Sequence, residues 1–257
     1  MNKKIKSGVQ DSNFMSDIQA NYLNKLEDYA HEGVGSTLEK LENFPKYVPR
    51  SSLSRFLVKY ELFKKILDIQ GCIIECGVFL GGGLMTWAQL SSILEPSNHQ
   101  RRVVGFDTFS GFPSIQDEDK SNHTSKLMKE GGMAIDSHED IQKCIEIYNM
   151  TRYFNHIEKV EIVKGDMKET IPSYIEKNKH LVISLLYLDA DIYEPTKVSL
   201  LNFIECMPRG GIVAFDELAQ PLWPGETKAL KDTLGISNFK INRFLFGTSI
   251  SYIILDL

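Results

Sequence analysis

Two short acidic clusters carry the strongest chemical signal in the chain. Leu188-Asp189-Ala190-Asp191 and Phe215-Asp216-Glu217 each close an apolar run that reads as a β-strand, so each places carboxylates at a strand's carboxyl end. If the two strands are neighbours in a parallel sheet, four carboxylates stand side by side. That arrangement is costly unless it binds a cation or shifts its own pKa values. Oxygen-only ligands of this kind suit magnesium or calcium better than zinc. The plainer alternative is a set of solvated turn residues.

A glycine-rich loop lies upstream, in Ile73-Ile74-Glu75-Cys76-Gly77-Val78-Phe79-Leu80-Gly81-Gly82-Gly83. Glycines there let backbone approach a ligand, and the helix that follows offers unpaired N–H groups at its start. The order is not Gly-x-Gly-x-x-Gly, because Glu75 stands where the first glycine of a dinucleotide site belongs. A carboxylate is unfavourable beside a pyrophosphate but complements the cationic methionine end of S-adenosylmethionine. On that reading Glu75, Gly77, Gly81, Gly82 and Gly83 bind this cofactor; a glycine-rich turn without a ligand is the competing reading. Val103-Val104-Gly105-Phe106-Asp107 then puts Asp107 about where doubly wound folds hold ribose hydroxyls, although a strand-end Asp also serves as a cap or turn residue. Asp166, in Gly165-Asp166-Met167, fits the adenine edge and a helix N-cap equally.

The elements that must position these residues alternate. Apolar runs predict strands over 72–76, 103–106, 160–163, 182–188 and 211–215, with helices over 83–93, 168–177 and 195–207, the pattern of parallel βα units. Most of these strands lack strict alternation, as expected when helices cover both faces. The end differs: runs over 239–244 and 249–255 read as an antiparallel pair turning at Gly247. The predicted fold is therefore α/β, a Rossmann-like and mostly parallel sheet closed by a terminal antiparallel hairpin, which resembles the class I methyltransferase sheet.

Upstream, Leu53, Phe56, Leu57, Tyr60, Phe63 and Ile66 mark an amphipathic helix over 51–67, and Ile18, Tyr22, Leu26 and Tyr29 mark another over 17–30. Residues 1–45 read as an extension serving as a lid, a dimer arm or a frayed end, and 46–257 as the methyltransferase domain. The stretch near 110–138 is polar, glycine-containing and too long for an ordinary connection; it is either a lid-like loop over substrate or disordered.

A chain of 257 residues with 42% apolar and 25% charged residues supports one sizeable core. A net charge of −5 argues against a nucleic-acid partner, and the run Asn2-Lys3-Lys4-Ile5-Lys6 is too short to change that. No stretch approaches the roughly 20 apolar residues that span a bilayer, and the polar start lacks a signal-peptide core. The expectation is a cytoplasmic protein without a membrane partner. Four cysteines, at 72, 76, 144 and 206, lack CxxC spacing and read as reduced thiols.

With these segments in view, the chain resembles the macrocin O-methyltransferase family of sugar methyltransferases. It is especially similar to the branch acting on nucleotide-linked deoxysugars of enediyne pathways. The matching stretches are 74–83, 104–113 (Val-Gly-Phe-Asp-Thr-Phe-Ser-Gly-Phe-Pro), 163–166, 187–196 and 210–217. The resemblance implies that Asp189, Asp216 and Glu217 hold a divalent metal such as magnesium, and that Asp191 is the general base. Many relatives carry Asp-Asp where this chain has Asp216-Glu217, and a glutamate can still ligate through its longer arm. The implied acceptor is a small-molecule sugar or nucleotide-sugar: two of its hydroxyls chelate the metal, Asp191 takes one proton, and the oxygen attacks the sulfonium methyl in line.

Several residues stay open between function and surface. His123 and His138 fall in or at the long loop, Arg50 and Arg55 precede the first strand, and Trp223 follows the acidic pair. Rival functions are also distinguishable. A dehydrogenase would need the missing dinucleotide glycine order, and a non-catalytic cofactor-binding protein would need no acidic clusters. A catechol-type small-molecule O-methyltransferase would use similar carboxylates.

Overall fold

The computed structural model describes residues 16–123, 125–246 and 249–256. The chain divides into two compact units, Met1–Phe56 and Leu57–Leu257. The predicted turn at Gly247 and the lysines of residues 2–6 lie outside the described residues.

In the first unit, α1 (Asp17–Glu32) and α2 (Thr37–Glu42) each start at a serine whose hydroxyl accepts from the N3 backbone, while the N3 side chain returns the bond. These reciprocal caps satisfy N–H groups that a helix start leaves orphaned. Lys40 Nζ donates to the carbonyls of Ala30 and His31 at 2.9 and 3.1 Å, closing the far end of α1. Tyr29 stacks on Tyr47 with centroids 5.4 Å apart. The helix α3 (Arg50–Lys65) begins in this unit and ends in the next.

The second unit is built on a seven-stranded sheet. Its strands are β1 (Cys72–Cys76), β2 (Val103–Asp107), β3 (Val160–Lys164), β4 (Ile183–Leu188), β5 (Ile212–Phe215), β6 (Asn242–Arg243) and β7 (Ser251–Ile254), in the order β3-β2-β1-β4-β5-β7-β6. The pairs from β3 through β5 are parallel, and β7 runs antiparallel to both β5 and β6. This is the Rossmann-like sheet with antiparallel terminal strands that the apolar runs predict. The terminal pair is shorter than expected, because 239–241 do not join the ladder.

Alternate residues of each strand feed two cores. Ile73, Leu185, Tyr187, Ile212 and Ala214 pack with Val58, Leu62, Leu84, Trp87 and Ile141 on one face. Ile74, Leu186, Leu188, Val213 and Phe215 pack with Ile171, Leu200, Phe203 and Leu230 on the other. Burial on both faces explains why the sequence of β4 shows no polar alternation. The covering helices are α4 (Gly82–Leu94), α5 (His138–Thr151), α6 (Met167–Lys177), α7 (Tyr193–Phe203) and α8 (Gly225–Thr233). The helix expected over 195–207 ends at Phe203 and tightens into a 3-10 turn at Ile204–Cys206.

Between β2 and α5 runs the long polar stretch, with one 3-10 turn at Asp117–Asp119. Phe112 exchanges backbone hydrogen bonds with Gly131 and Gly132, both 3.0 Å, and Ser137 Oγ donates to the Phe79 carbonyl. Buried Asp119 accepts from the N–H of Gln116 at 2.9 Å and of Tyr193 at 2.6 Å, and Ser121 Oγ donates to the Pro221 carbonyl at 2.6 Å. The insertion is thus tied to the loops that follow β1, β4 and β5.

Candidate active site

The five parallel strands present their carboxyl ends on one edge, and the ladder continues one residue beyond β1, β4 and β5. Gly77 N donates to Phe106 O at 2.9 Å, Asp189 N to Cys76 O at 2.8 Å, and Asp216 N to Leu188 O at 3.0 Å. Because β4 and β5 are neighbours, the Asp189-Ala190-Asp191 and Asp216-Glu217 clusters do emerge side by side. The close approach of β1 to β4 demands Gly77: at φ 94° a Cβ there would stand 2.0 Å from the Asp189 carbonyl oxygen. No other residue fits.

The loop after β1 is shaped by Asp107. Its Oδ2 accepts from the N–H groups of Val78 and Phe79 at 2.7 and 2.8 Å, and its Oδ1 from that of Phe109 at 2.7 Å. Three of a carboxylate's roughly four acceptor positions are therefore engaged by backbone. The sequence presents Asp107 as a ligand-binding residue; the structure shows that it first holds two loops together.

Gly81 caps α4 in the left-handed region at φ 81°. The two glycines after it have different surroundings. A Cβ on Gly82 would meet nothing within 4 Å, so this residue faces open space. A Cβ on Gly83 would fall 2.3 Å from Glu75 Oε1. Glu75 itself is only 2% exposed, and its Oε2 accepts from the Trp87 indole at 2.5 Å. Its carboxylate is thus enclosed against the first turns of α4, rather than standing open in the loop. Asp166 caps α6, accepting from Lys168 N at 3.0 Å. It also lines a cavity with Lys168, Gln116 and Glu194, so the cap and a ligand contact are compatible roles.

Asp216 is 1% exposed and accepts from the Tyr187 hydroxyl at 2.6 Å. The Tyr187 ring meets Trp87 edge-on, with centroids 5.5 Å apart, and the Lys59 ammonium lies 3.4 Å from its centroid. A buried aromatic and hydrogen-bonded path thus runs from Glu75 through Trp87 and Tyr187 to Asp216. Asp189, Asp191 and Glu217 are partly exposed. Asp191 takes φ 63°, and Ala219, held by a 2.9 Å bond from its N–H to Thr227 Oγ1, takes φ 64°.

One acid here has no counterpart in the sequence reading. Glu226, at the start of α8, is fully buried; its Oε2 accepts from Glu217 N at 2.8 Å and its Oε1 has no hydrogen-bond partner. Burial first, then the nearby carboxylates of Asp216, Asp189 and Glu217, push its pKa well above the usual carboxylate range. Nothing local marks this glutamate in Trp223-Pro224-Gly225-Glu226; only the return of α8 beside the end of β5 buries it. Among the described residues, no three His, Cys, Asp or Glu side chains are gathered as they stand into a metal site. The donor set is nevertheless all oxygen, and an orphaned buried carboxylate oxygen beside Asp216 is a group that a hard cation would satisfy.

The ambiguous residues separate. Trp223 packs its ring against Phe112 of the insertion at 6.0 Å, and His138 opens α5 with its ring edge-on to Phe109 at 5.3 Å. His123 is exposed. Arg50 and Arg55 belong to the first unit. Among the described residues no helix is long and apolar enough to cross a membrane.

Residues 61–234 match the family described as macrocin-O-methyltransferase. The mycinamicin III 3''-O-methyltransferase of Micromonospora griseorubida is 25% identical over 174 residues, covering 66% of this chain; the match spans 64% of that relative's length. Among solved structures, CalS11, a calicheamicin methyltransferase, superposes with a TM-score of 0.89 at 31% identity, covering 98% of this chain and 99% of the other. The apo form of CalS11, described as a TDP-rhamnose 3'-O-methyltransferase, gives 0.80 at 30% identity over 93% and 95%.

Proposed function

Because the chain belongs to the macrocin-O-methyltransferase family, we propose that it is an S-adenosylmethionine-dependent O-methyltransferase that modifies a sugar hydroxyl of a nucleotide-linked deoxysugar or glycosylated natural product. The observation that carries this reading is the pairing of β4 with β5, which sets the two acidic clusters side by side next to the Gly77–Gly82 turn. S-adenosylmethionine supplies an electrophilic sulfonium methyl when bound, and a divalent cation such as magnesium lowers the pKa of a coordinated hydroxyl.

The chain's own residues do the rest. Gly77, Gly81 and Gly82 let the loop backbone meet the cofactor, with Glu75 and Gly83 packed behind them. Asp107 offers its remaining acceptor position to the ribose, and Asp166 stands at the adenine edge. Asp189, Asp216 and Glu217 would hold the cation. The Asp191 carboxylate receives the proton of the acceptor hydroxyl. The insertion near 110–138, tied to three site loops, acts as a lid that excludes water and aligns the acceptor.

Residues 1–45 act as an extension outside the 46–257 methyltransferase domain. Exposed Ile18, Val34 and Leu38 support its use as an association arm between copies of the chain. The acidic net charge supports an enzyme without a nucleic-acid partner.

The test is calorimetric titration with S-adenosylmethionine, with and without magnesium, followed by methyl transfer to a panel of nucleotide-linked deoxysugars and catechols. Micromolar cofactor binding and turnover of a sugar, reduced at least a hundredfold in Asp191→Asn, are expected. Absence of cofactor binding sinks the reading. Turnover of catechols alone moves the acceptor class, and full turnover by Asp191→Asn removes the base.

A further inference from the structure

The mechanism above leaves one buried acid unused. Glu226 is fully enclosed, and although Oε2 is satisfied by the Glu217 N–H, Oε1 has no hydrogen-bond partner. A buried carboxylate oxygen without a partner is rare, because the hydration it has lost must be replaced. Its anchor, the Glu217 N–H, directly follows buried Asp216 at the end of β5, so the orphaned carboxylate stands against the acidic cluster. Two arrangements relieve such a site. Either Glu226 carries a proton and serves only to shape the turn, or a cation joins the four carboxylates and reverses the sign of their mutual interaction.

The geometry points to Glu226 as a direct ligand of the divalent cation, its Oε2 fixing the Glu217 backbone while its Oε1 binds the ion. This rests on the metal-assisted reading of the acidic clusters. The same bond fixes where the ion would sit, because Glu226 supplies from α8 a carboxylate anchored to the backbone of Glu217.

Manganese is the probe, since it takes the same all-oxygen donors as magnesium and is paramagnetic. The full-length protein and its Glu226→Gln variant are titrated with manganese by electron paramagnetic resonance, and with S-adenosylmethionine in the absence of metal. The amide keeps the shape and the acceptor for Glu217 N but removes the charge. Manganese affinity is expected to fall by at least about 10- to 100-fold, the loss that follows removal of an outer-shell partner and so a floor for a direct ligand, while cofactor affinity holds. Equal manganese affinity in both proteins overturns the ligand role and leaves the protonated acid. If the wild type binds no manganese, the metal-assisted reading itself falls, and this inference with it.

Should Glu226→Gln lose cofactor binding through misfolding, anomalous diffraction from manganese-soaked crystals of the wild type decides. A peak within about 2.6 Å of Glu226 Oε1 supports the assignment, and a peak ligated by the other carboxylates alone overturns it.

Discussion

Gly82 and Gly83 are adjacent, identical in type and both in the first turn of α4, yet alanine at the two positions should fail in opposite ways. At Gly83 the added Cβ lies 2.3, 2.7 and 2.8 Å from the Oε1, Oε2 and Cδ of Glu75. Glu75 is enclosed and bound to the Trp87 indole, so it cannot retreat without losing that bond. Overpacking costs about 1–3 kcal/mol and a hydrogen bond to a charged group about 1.5–3 kcal/mol, offset by about 0.5–1 kcal/mol of helix propensity, so Gly83→Ala should destabilise by roughly 2–5 kcal/mol. At about 2–4 °C per kcal/mol for a body of this size, Tm should fall by roughly 4–20 °C. At Gly82 nothing lies within 4 Å, and the residue is helical. Alanine there should gain about 0.5–1 kcal/mol of helix stability, leaving Tm unchanged or slightly raised. Its methyl group would occupy the face proposed to receive the cofactor, so S-adenosylmethionine affinity should drop at least about tenfold, or some 1.4 kcal/mol. Differential scanning fluorimetry and calorimetric titration read both quantities. Equal loss of Tm in the two variants refutes the packing argument, and wild-type cofactor affinity in Gly82→Ala refutes the placement of the cofactor.

Three further outcomes follow from the same geometry. Tyr187→Phe removes the donor to Asp216 and keeps the ring; manganese affinity should fall about 10- to 100-fold with cofactor affinity intact, and unchanged metal binding would show that the bond orients nothing. Asp119→Ala strips the acceptor from two backbone N–H groups, Gln116 in the insertion and Tyr193 at the start of α7, a loss of about 1–3 kcal/mol that loosens the insertion from the sheet. Hydrogen exchange should accelerate over 112–122 while β1 and β4 keep their protection, whereas uniform acceleration would contradict a local anchor. Burial pushes the thiols of Cys72 and Cys76 up to about 12, whereas Cys144 is exposed. Iodoacetamide at pH 8 should therefore modify Cys144 rapidly and leave Cys72 and Cys76 untouched until unfolding, as peptide mass mapping would report.

The five parallel strands were legible because each is a short, mostly apolar run ended by a glycine or an acid. The acids at those ends could be located to the residue, but their convergence depended on strand order, which enters only when β4 is seen beside β5. What stayed hidden was created by tertiary burial. Adjacent Arg101 and Arg102 look alike in sequence, yet Arg101 is buried, donating to Glu95, Ser184 Oγ and the carbonyls of Ile66, Ile69 and Gly71. Arg102 instead bridges Glu158 and Glu161 nearer the surface. The helix α8 escaped notice because its nine residues carry only Ala229 and Leu230 as apolar positions, too few to set a helical period, and with it went Glu226. Glu75 was found for its charge, but its enclosure beneath Gly83 comes from the path of α4.

The loops around the site are fixed by backbone strain as well as by side chains. Among the described residues six non-glycine positions have positive φ, and four of them, Phe79, Phe109, Asp191 and Ala219, lie in the loops that follow β1, β2, β4 and β5. Such conformations cost about 1–3 kcal/mol each and persist where surroundings over-determine them. The surroundings are identifiable: Asp107 holds the N–H groups of Phe79 and Phe109, and Thr227 holds that of Ala219. These loops are therefore set before any ligand arrives, which is what alignment of two small reactants requires. Asp191 belongs to this set by geometry as well as by charge, since aspartate and asparagine tolerate the left-handed region better than other side chains do. Asparagine at 191 thus preserves the backbone and removes only the carboxylate. Glycine would remove the carboxylate and relax the loop together, so the difference between the two variants measures how much of the rate belongs to the proton acceptor and how much to the fixed loop.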